Sequence, residues 1–209
     1  MRSTKLVGVL LTFAIAALAQ PAATPGPSAA QGAGGTAAIV VPGPVVADYN
    51  EHFTTGSPVE QGIAKEVRHE LLMLPYYTLF DSLGYTVQGR TVTLTGTLTS
   101  QDAVTKKDAE IAVKKIEGVE KVVNDINVLP PSPMDDRIRE RTYRALNRTA
   151  GLSRYFWEAA PSIHIVVQNG RVTLDGFVLN EADKNMAGIA AKTIPGAFEV
   201  TNNLRVVKE

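Results

Sequence analysis

The chain has 209 residues, no cysteine and a formal net charge of zero. Without cysteine it forms no disulfide and carries no lipoprotein attachment site, so its stability must come from ordinary hydrophobic cores. Its balanced charge excludes the strongly basic composition that is typical of nucleic-acid-binding domains.

The first nineteen residues have the pattern of a secretory signal peptide. Arg2 and Lys5 precede an apolar run, 6–18, and residues 17–19 have the small-x-small form of a cleavage site. This run is shorter than the about 20 residues that a membrane-spanning helix requires. We predict cleavage after Ala19, which gives a soluble periplasmic or secreted protein without a transmembrane helix; retention as an anchor is the alternative.

Residues 20–56 are predicted to be a disordered linker. Up to position 44 this stretch consists mainly of Ala, Pro and Gly and carries no charge. Such a composition has little apolar surface to bury and favours an extended tether. Tyr49 and Phe53, near its end, could pack on the domain that follows.

Two units of similar sequence make up the rest of the chain. Each begins with a helix start, Ser57-Pro58-Val59-Glu60 in the first and Ser132-Pro133-Met134-Asp135 in the second, with proline at the first helical position. An apolar stripe of helical period follows in both. Short strands then lead to VTLTG at 92–96 and VTLDG at 172–176. The spacing predicts a hairpin in each unit, with Asn169-Gly170 as the stronger turn signal.

The same order continues after each hairpin. An Ala-rich helix is predicted to end at Gly118 in the first unit and at Gly196 in the second, because a left-handed residue commonly ends a helix. A strand with alternating apolar residues follows, at 119–128 and 197–206. Each unit therefore predicts an α-β-β-α-β order and an α+β fold, in which two helices cover one face of a three-stranded mixed sheet. We assign the domains to 57–129 and 134–209, with a stiff proline-rich joint at 130–133.

The motifs of both units resemble the BON domain, a family named for bacterial osmotically induced and nodulation proteins. The resemblance rests on V-x-L-x-G followed by the Ala-rich helix and by Gly118-Val119-x-x-Val122-x-Asn124. The second unit has Ala197 where the first has Val119. The resemblance implies a non-catalytic cell-envelope protein connected with stress responses. It also implies binding to phospholipid surfaces or to other envelope components, and it transfers no catalytic residue.

The repeated glycines and asparagines favour structural roles. Gly96 and Gly176 are interpreted as sites of a tight bend or of close backbone approach between strand and helix. Asn124 and Asn202 are interpreted as side chains that cap or bridge backbone groups, with ligand binding as the alternative for each.

The first helix of the second unit carries the sharpest functional signal. Residues 57–131 contain 8 basic and 10 acidic side chains, whereas residues 132–209 contain 11 and 9. Arg137, Arg141, Arg144 and Arg148 recur at a spacing that places them on one stripe of the helix. Such a stripe suits the phosphates of an anionic lipid surface or another anionic partner. The alternative is a solvated face that Asp136 and Glu140 partly neutralise.

An insertion of the second unit carries Arg154, Tyr155, Phe156 and Trp157. Aromatic residues beside arginine are typical of interfacial membrane anchors. They are equally typical of a loop that packs on its own domain. The equivalent aromatic residues of the first unit, Tyr76, Tyr77 and Phe80, predict packing of that kind.

The sequence predicts neither an enzyme nor a cofactor. His52, His69 and His164 lack the spacing of metal ligands, and nucleotide-binding or nucleophile motifs do not occur. We therefore predict an envelope module that binds anionic phospholipid surfaces. The alternatives are a protein-binding or envelope-assembly scaffold, with a possible homo-oligomer, and, less favoured, a small-ligand or ion sensor.

Overall fold

The structure, a computed structural model, describes residues 38–41, 56–99, 103–157 and 161–207. The predicted signal peptide and most of the predicted linker lie outside these ranges. The first domain consists of β1 (Ile39–Val41), α1 (Pro58–Leu72), β2 (Ser82–Gln88), β3 (Thr91–Leu98), α2 (Ala103–Lys114), β4 (Lys121–Asn124) and β5 (Asn127–Val128). The second consists of α3 (Pro133–Arg148), a 3₁₀ helix (Ser153–Phe156), β6 (Ile163–Gln168), β7 (Arg171–Val178), α4 (Glu181–Lys192), β8 (Glu199–Asn202) and β9 (Arg205–Val206).

The predicted α-β-β-α-β order and α+β fold are confirmed in both domains. The antiparallel hairpins are β2–β3 and β6–β7, and the last strand of each domain runs parallel to the second strand of its hairpin. This last strand, predicted to be continuous, is interrupted in both domains, giving β4 and β5 in one and β8 and β9 in the other. At each break an amide donates to the neighbouring strand, from Asp125 to the carbonyl of Leu94 and from Asn203 to that of Leu174.

The strand β1 was not predicted from the sequence. It pairs antiparallel with β2, with Ile39 opposite Val87, and it lies within the stretch assigned to the disordered linker. Ile39 is only 2% exposed and joins the core of the first domain. Three consecutive β-branched residues suit a strand, and the free edge of β2 offers unpaired backbone groups to them. A prediction from the composition of the linker does not detect such a short strand.

Each core lies between one sheet face and the two helices. In the first domain Leu83, Tyr85 and Val87 alternate along β2 and are fully buried. The hydroxyl of Tyr85 donates to the carbonyl of Ala64 in α1 at 2.8 Å, which shows that this face meets the helices. The second domain repeats the arrangement with Ile163, Ile165 and Val167 of β6. The prediction that both helices cover one face is thus met in both.

A carboxylate at the third position of the first helix clamps the hairpin turn in both domains. Glu60 completes the predicted capping box with Ser57 and also accepts from the amide of Gly89 at 2.6 Å. Asp135 accepts from the amides of Asn169 at 3.0 Å and Gly170 at 2.8 Å. These amides are otherwise left without a partner in the turn, so the clamp fixes the helix start against the sheet.

The glycines of the repeated pentapeptides are required by the neighbouring strand. Gly96 has φ +117°, and a Cβ there would lie 2.0 Å from the carbonyl oxygen of Ser82. Gly176 has φ +121°, and its Cβ would lie 2.0 Å from the carbonyl oxygen of Ser162. The predicted close approach therefore exists, but it occurs between the two strands of the hairpin and not between strand and helix.

Two further motif residues lie after the second helix of each domain. Gly118 and Gly196 have positive φ, yet α2 ends at Lys114 and α4 at Lys192, so these glycines do not end the helices. They belong to a tight turn closed by bonds between residues three apart, which follows each helix.

The two motif asparagines bridge backbone groups across the break in the last strand. The amide of Asn124 donates to the carbonyl of Lys106 at 2.8 Å, and its oxygen accepts from Ile126. Asn202 repeats both bonds with Lys184 and Leu204. These contacts are of the backbone-bridging kind that the sequence favours.

The two domains share one compact unit, 36–209. The loop before β2 lies along the outer edge of β6, where the amide of Ile165 donates to the carbonyl of Leu79 at 2.8 Å. Leu79 and Phe80 pack on the core of the second domain. The domains are therefore held together by backbone and side-chain contacts as well as by the proline-rich joint.

Candidate binding surface

The four arginines singled out by the sequence all lie on the exposed side of α3. Ser132 caps this helix by accepting from the amide of Asp135, and Pro133 occupies its first turn. Buried residues, among them Ile138, Thr142 and Leu146, hold the opposite side against the sheet. At 1.5 Å per residue the stripe runs about 16 Å from its first to its last arginine. The arginines are Arg137, Arg141, Arg144 and Arg148.

These arginines differ in their partners. Arg144 forms an ion pair with Glu140, and Arg141 donates to the carbonyl of Pro195 at 3.2 Å. Within the described ranges, Arg137 and Arg148 form neither an ion pair nor a hydrogen bond. A fifth arginine of the helix, Arg139, is buried, pairs with Asp136 and donates to the carbonyl of Val167. The neutralisation expected from acidic neighbours is therefore partial.

Two exposed apolar side chains flank the stripe on the side of α4. Met134 is 53% exposed and lies beside Gly196, and Phe198 is 82% exposed with its ring over Gly170. Neither side chain was predicted from the sequence to be part of a binding surface. A comparison of the two units could have identified Phe198, because the first domain has Glu120 at the equivalent position.

The aromatic insertion packs largely on its own domain. The hydroxyl of Tyr155 donates to Asp183 at 2.5 Å and accepts from the amide of Leu179 at 2.9 Å. Arg154 forms an ion pair with the same carboxylate. Burial raises the pKa of Tyr155. Burial also acts to raise the pKa of Asp183, but the hydrogen bonds from Tyr155 and Arg154 outweigh it and lower that pKa.

The rest of the insertion divides between packing and exposure. Phe156 meets Tyr143 edge to face with ring centroids 5.4 Å apart. Tyr143 lies on the flank of α3 away from Met134. Trp157 is 76% exposed and is the single tryptophan of the chain. Of the aromatic residues predicted as an anchor, Tyr155 is thus engaged internally and Trp157 projects to solvent.

The described part of the chain offers no metal-binding group of three or more His, Asp or Glu side chains. His164 is buried, and burial lowers its pKa to about 4, so it is neutral near pH 7. Over the same ranges, the helices are too short or too polar to cross a bilayer. This face presents exposed charge and exposed apolar side chains.

The match to a family model agrees with the repeated fold. A family model described as BON domain matches residues 60–130 and 134–208. A search of curated proteins found no match. The solved C-terminal domain of CdsD, the structural protein of the Type III secretion system of Chlamydia trachomatis, is similar at 12% identity with a TM-score of 0.29. The alignment covers 69% of this chain and 96% of that one. Another structure of CdsD has a TM-score of 0.24 at 12% identity and covers 69% and 92%.

Proposed function

This chain belongs to the BON domain family, with two tandem copies of the domain, and we propose that it is a non-catalytic module of the cell envelope that binds anionic phospholipid surfaces peripherally. The predicted signal peptide would bring it to that compartment. The observation that carries the proposal is the exposed arginine stripe of α3, in which Arg137 and Arg148 form no ion pair with the residues described.

The expected strength of the electrostatic contact is modest. An arginine near an anionic membrane contributes about 1 kcal/mol. Three arginines that are not paired with carboxylates, Arg137, Arg141 and Arg148, therefore contribute about 3 kcal/mol, which corresponds to an affinity weaker than millimolar. Charge alone does not hold the protein on the membrane, so an apolar contribution is required.

Met134 and Phe198 supply this apolar contribution in the proposed arrangement. Full burial of a Met or Phe side chain contributes about 1.5–3 kcal/mol. Two partly inserted side chains together with the arginines bring the dissociation constant to the order of 10 µM. Met134 and Phe198 are therefore proposed as inserting residues in place of Tyr155, because the hydroxyl of Tyr155 is bound to Asp183. Trp157 is exposed and remains available as a further inserting side chain.

Vesicle sedimentation tests the proposal. The protein should begin at Gln20, so that the apolar leader cannot itself insert into the bilayer. We expect co-sedimentation with vesicles that contain phosphatidylglycerol, none with phosphatidylcholine alone, and progressive release as salt screens the charges. Equal binding to both vesicle types, or binding that salt does not weaken, would contradict the proposal. Absence of binding to either would favour the alternative, an envelope-assembly scaffold.

A further inference from the structure

The first domain has an acidic groove between its two helices. The groove has a volume of about 600 Å³, and Ala112 and Ile116 form part of its lining. Glu66, Glu70 and Glu117 carry its negative charge, against a single cation, Lys115. None of these three glutamates forms an ion pair with another described residue. The groove therefore presents a net charge of about −2.

A glycine within a helix keeps this groove open. Gly62 lies in the second turn of α1 and lines the groove, and a Cβ at this position would meet no atom within 4 Å. Glycine inside a helix costs about 0.5–1 kcal/mol relative to alanine. Among the described residues no turn and no close packing requires glycine at this position. The open space beside it can receive a side chain of another molecule.

The second domain presents the opposite charge at the same place. Through the repeat, Gly62 corresponds to Arg137 and Glu66 corresponds to Arg141. The helix pair that is acidic in one domain is thus cationic in the other. A groove with excess negative charge and a helix with arginines that form no ion pair with a described carboxylate, Arg137 and Arg141, therefore occur on a single chain.

We propose that copies of this protein associate head to tail, with α3 of one copy seated in the α1–α2 groove of the next. Arg137 and Arg141 face Glu66, Glu70 and Glu117, and the aliphatic part of an arginine lies over Ile116 in the space beside Gly62. Because donor and acceptor surfaces differ, the contact is heterologous and repeats from copy to copy into a ring or a filament. The contact consists mainly of exposed ion pairs, so it weakens with salt.

This association and the proposed lipid binding share the arginines but not the glutamates. The acidic groove plays no part in attraction to an anionic bilayer. Variants of the groove therefore separate the two proposals, and an anionic surface should compete with a neighbouring copy for α3.

Charge reversal tests the contact by sedimentation velocity at low salt. One variant carries Glu66→Arg, Glu70→Arg and Glu117→Arg, and the other carries Arg137→Glu, Arg141→Glu and Arg148→Glu. The wild-type protein should form oligomers that dissociate in high salt. Each variant alone should be monomeric, and an equimolar mixture should regain association, because opposite charges face each other again. A monomeric wild type, or no association in the mixture, would overturn the proposal.

Gly62→Leu provides a test without a change of charge. Leucine favours the helix more than glycine, so the fold should become more stable. Its side chain fills the groove, so the apparent affinity of self-association should fall at least tenfold. The same variant should bind phosphatidylglycerol vesicles as the wild type does. Unchanged self-association of a folded Gly62→Leu protein would contradict the proposal that an arginine of the next copy binds in the groove beside Gly62.

Discussion

His164 of the second domain donates through Nδ1 to the carbonyl oxygen of Asp81 in the first domain, with 2.6 Å between the two atoms. A carbonyl oxygen only accepts, so this contact assigns the proton of the neutral ring to Nδ1. The ring also stacks on Tyr77, with centroids 5.3 Å apart. Because these contacts cross the domain boundary, they make the domains one unit and keep α3 in a defined position.

The domain junction should be sensitive to acid. The pKa of His164 is lowered to about 4 by burial, against about 6.5 in the unfolded chain. Between these values the unfolded chain binds a proton that the folded chain does not. The free energy of unfolding should therefore fall as pH drops through this window, by roughly 3 kcal/mol at most. In denaturant unfolding, the free energy of unfolding of His164→Asn should decrease less over the same pH range than that of the wild type. The same pH dependence in both proteins would contradict the role assigned to His164.

Removal of the Asp135 carboxylate, which clamps the second hairpin turn, should cause a large loss of stability. Burial acts to raise the pKa of Asp135, but hydrogen bonds from Gly170 and Asn169 outweigh it, so the pKa is lowered. Its stabilisation is present above the unfolded pKa and disappears as pH falls below it. Asp135→Ala leaves the two amides without an acceptor and should cost about 3 kcal/mol in urea unfolding near pH 7. Asp135→Asn, which keeps one acceptor, should cost clearly less; equal losses would contradict the clamp.

Two glycine-to-alanine substitutions should have opposite effects. Gly96→Ala places a methyl group 2.0 Å from the carbonyl oxygen of Ser82 and should destabilise the first domain by more than about 3 kcal/mol. Gly62→Ala adds the same methyl group in open space within a helix and should stabilise by about 0.5–1 kcal/mol. Thermal unfolding measures both, and a tolerated Gly96→Ala would contradict the strand contact described here.

Tyr155 should matter for stability and not for membrane binding. Tyr155→Phe removes a donor to Asp183 and the acceptor for the Leu179 amide, and should cost about 2 kcal/mol in urea unfolding. Its binding to phosphatidylglycerol vesicles should equal that of the wild type. Phe198→Ala is the counterpart, with unchanged stability and about tenfold weaker vesicle binding. A reversed result would return the inserting role to the aromatic insertion.

The fold was largely predictable because the two units contain the same local sequence signals in the same order. Capping residues, apolar periodicity and the Asn-Gly turn each specify local structure within a few residues. The strand β1 escaped prediction because its partner, β2, is more than forty positions away and its own segment is only three residues long. The contact of His164 with Asp81 joins residues that are still farther apart in sequence. Pairings of that kind depend on tertiary structure, which local patterns do not encode.

The candidate surface was predictable in part. Helical spacing placed the four arginines on one side of α3, and the structure leaves all of them exposed. The sequence could not show that Phe198 lies over Gly170, because this contact joins a loop to a hairpin turn. Nor could it show that Asp183 captures the hydroxyl of Tyr155, which removes that ring from the surface.

Replacement of the arginines with a matched control tests the central claim most directly. One variant of the chain from Gln20 carries Arg137→Gln, Arg141→Gln and Arg148→Gln. The control carries Lys65→Gln, Lys107→Gln and Lys121→Gln, which remove the same charge from exposed positions of the first domain outside the acidic groove. In sedimentation with phosphatidylglycerol vesicles at low salt, the arginine variant should lose binding by at least tenfold while the control stays within about twofold of the wild type. Equal losses would show that only net charge matters, and full binding by the arginine variant would contradict the assigned surface.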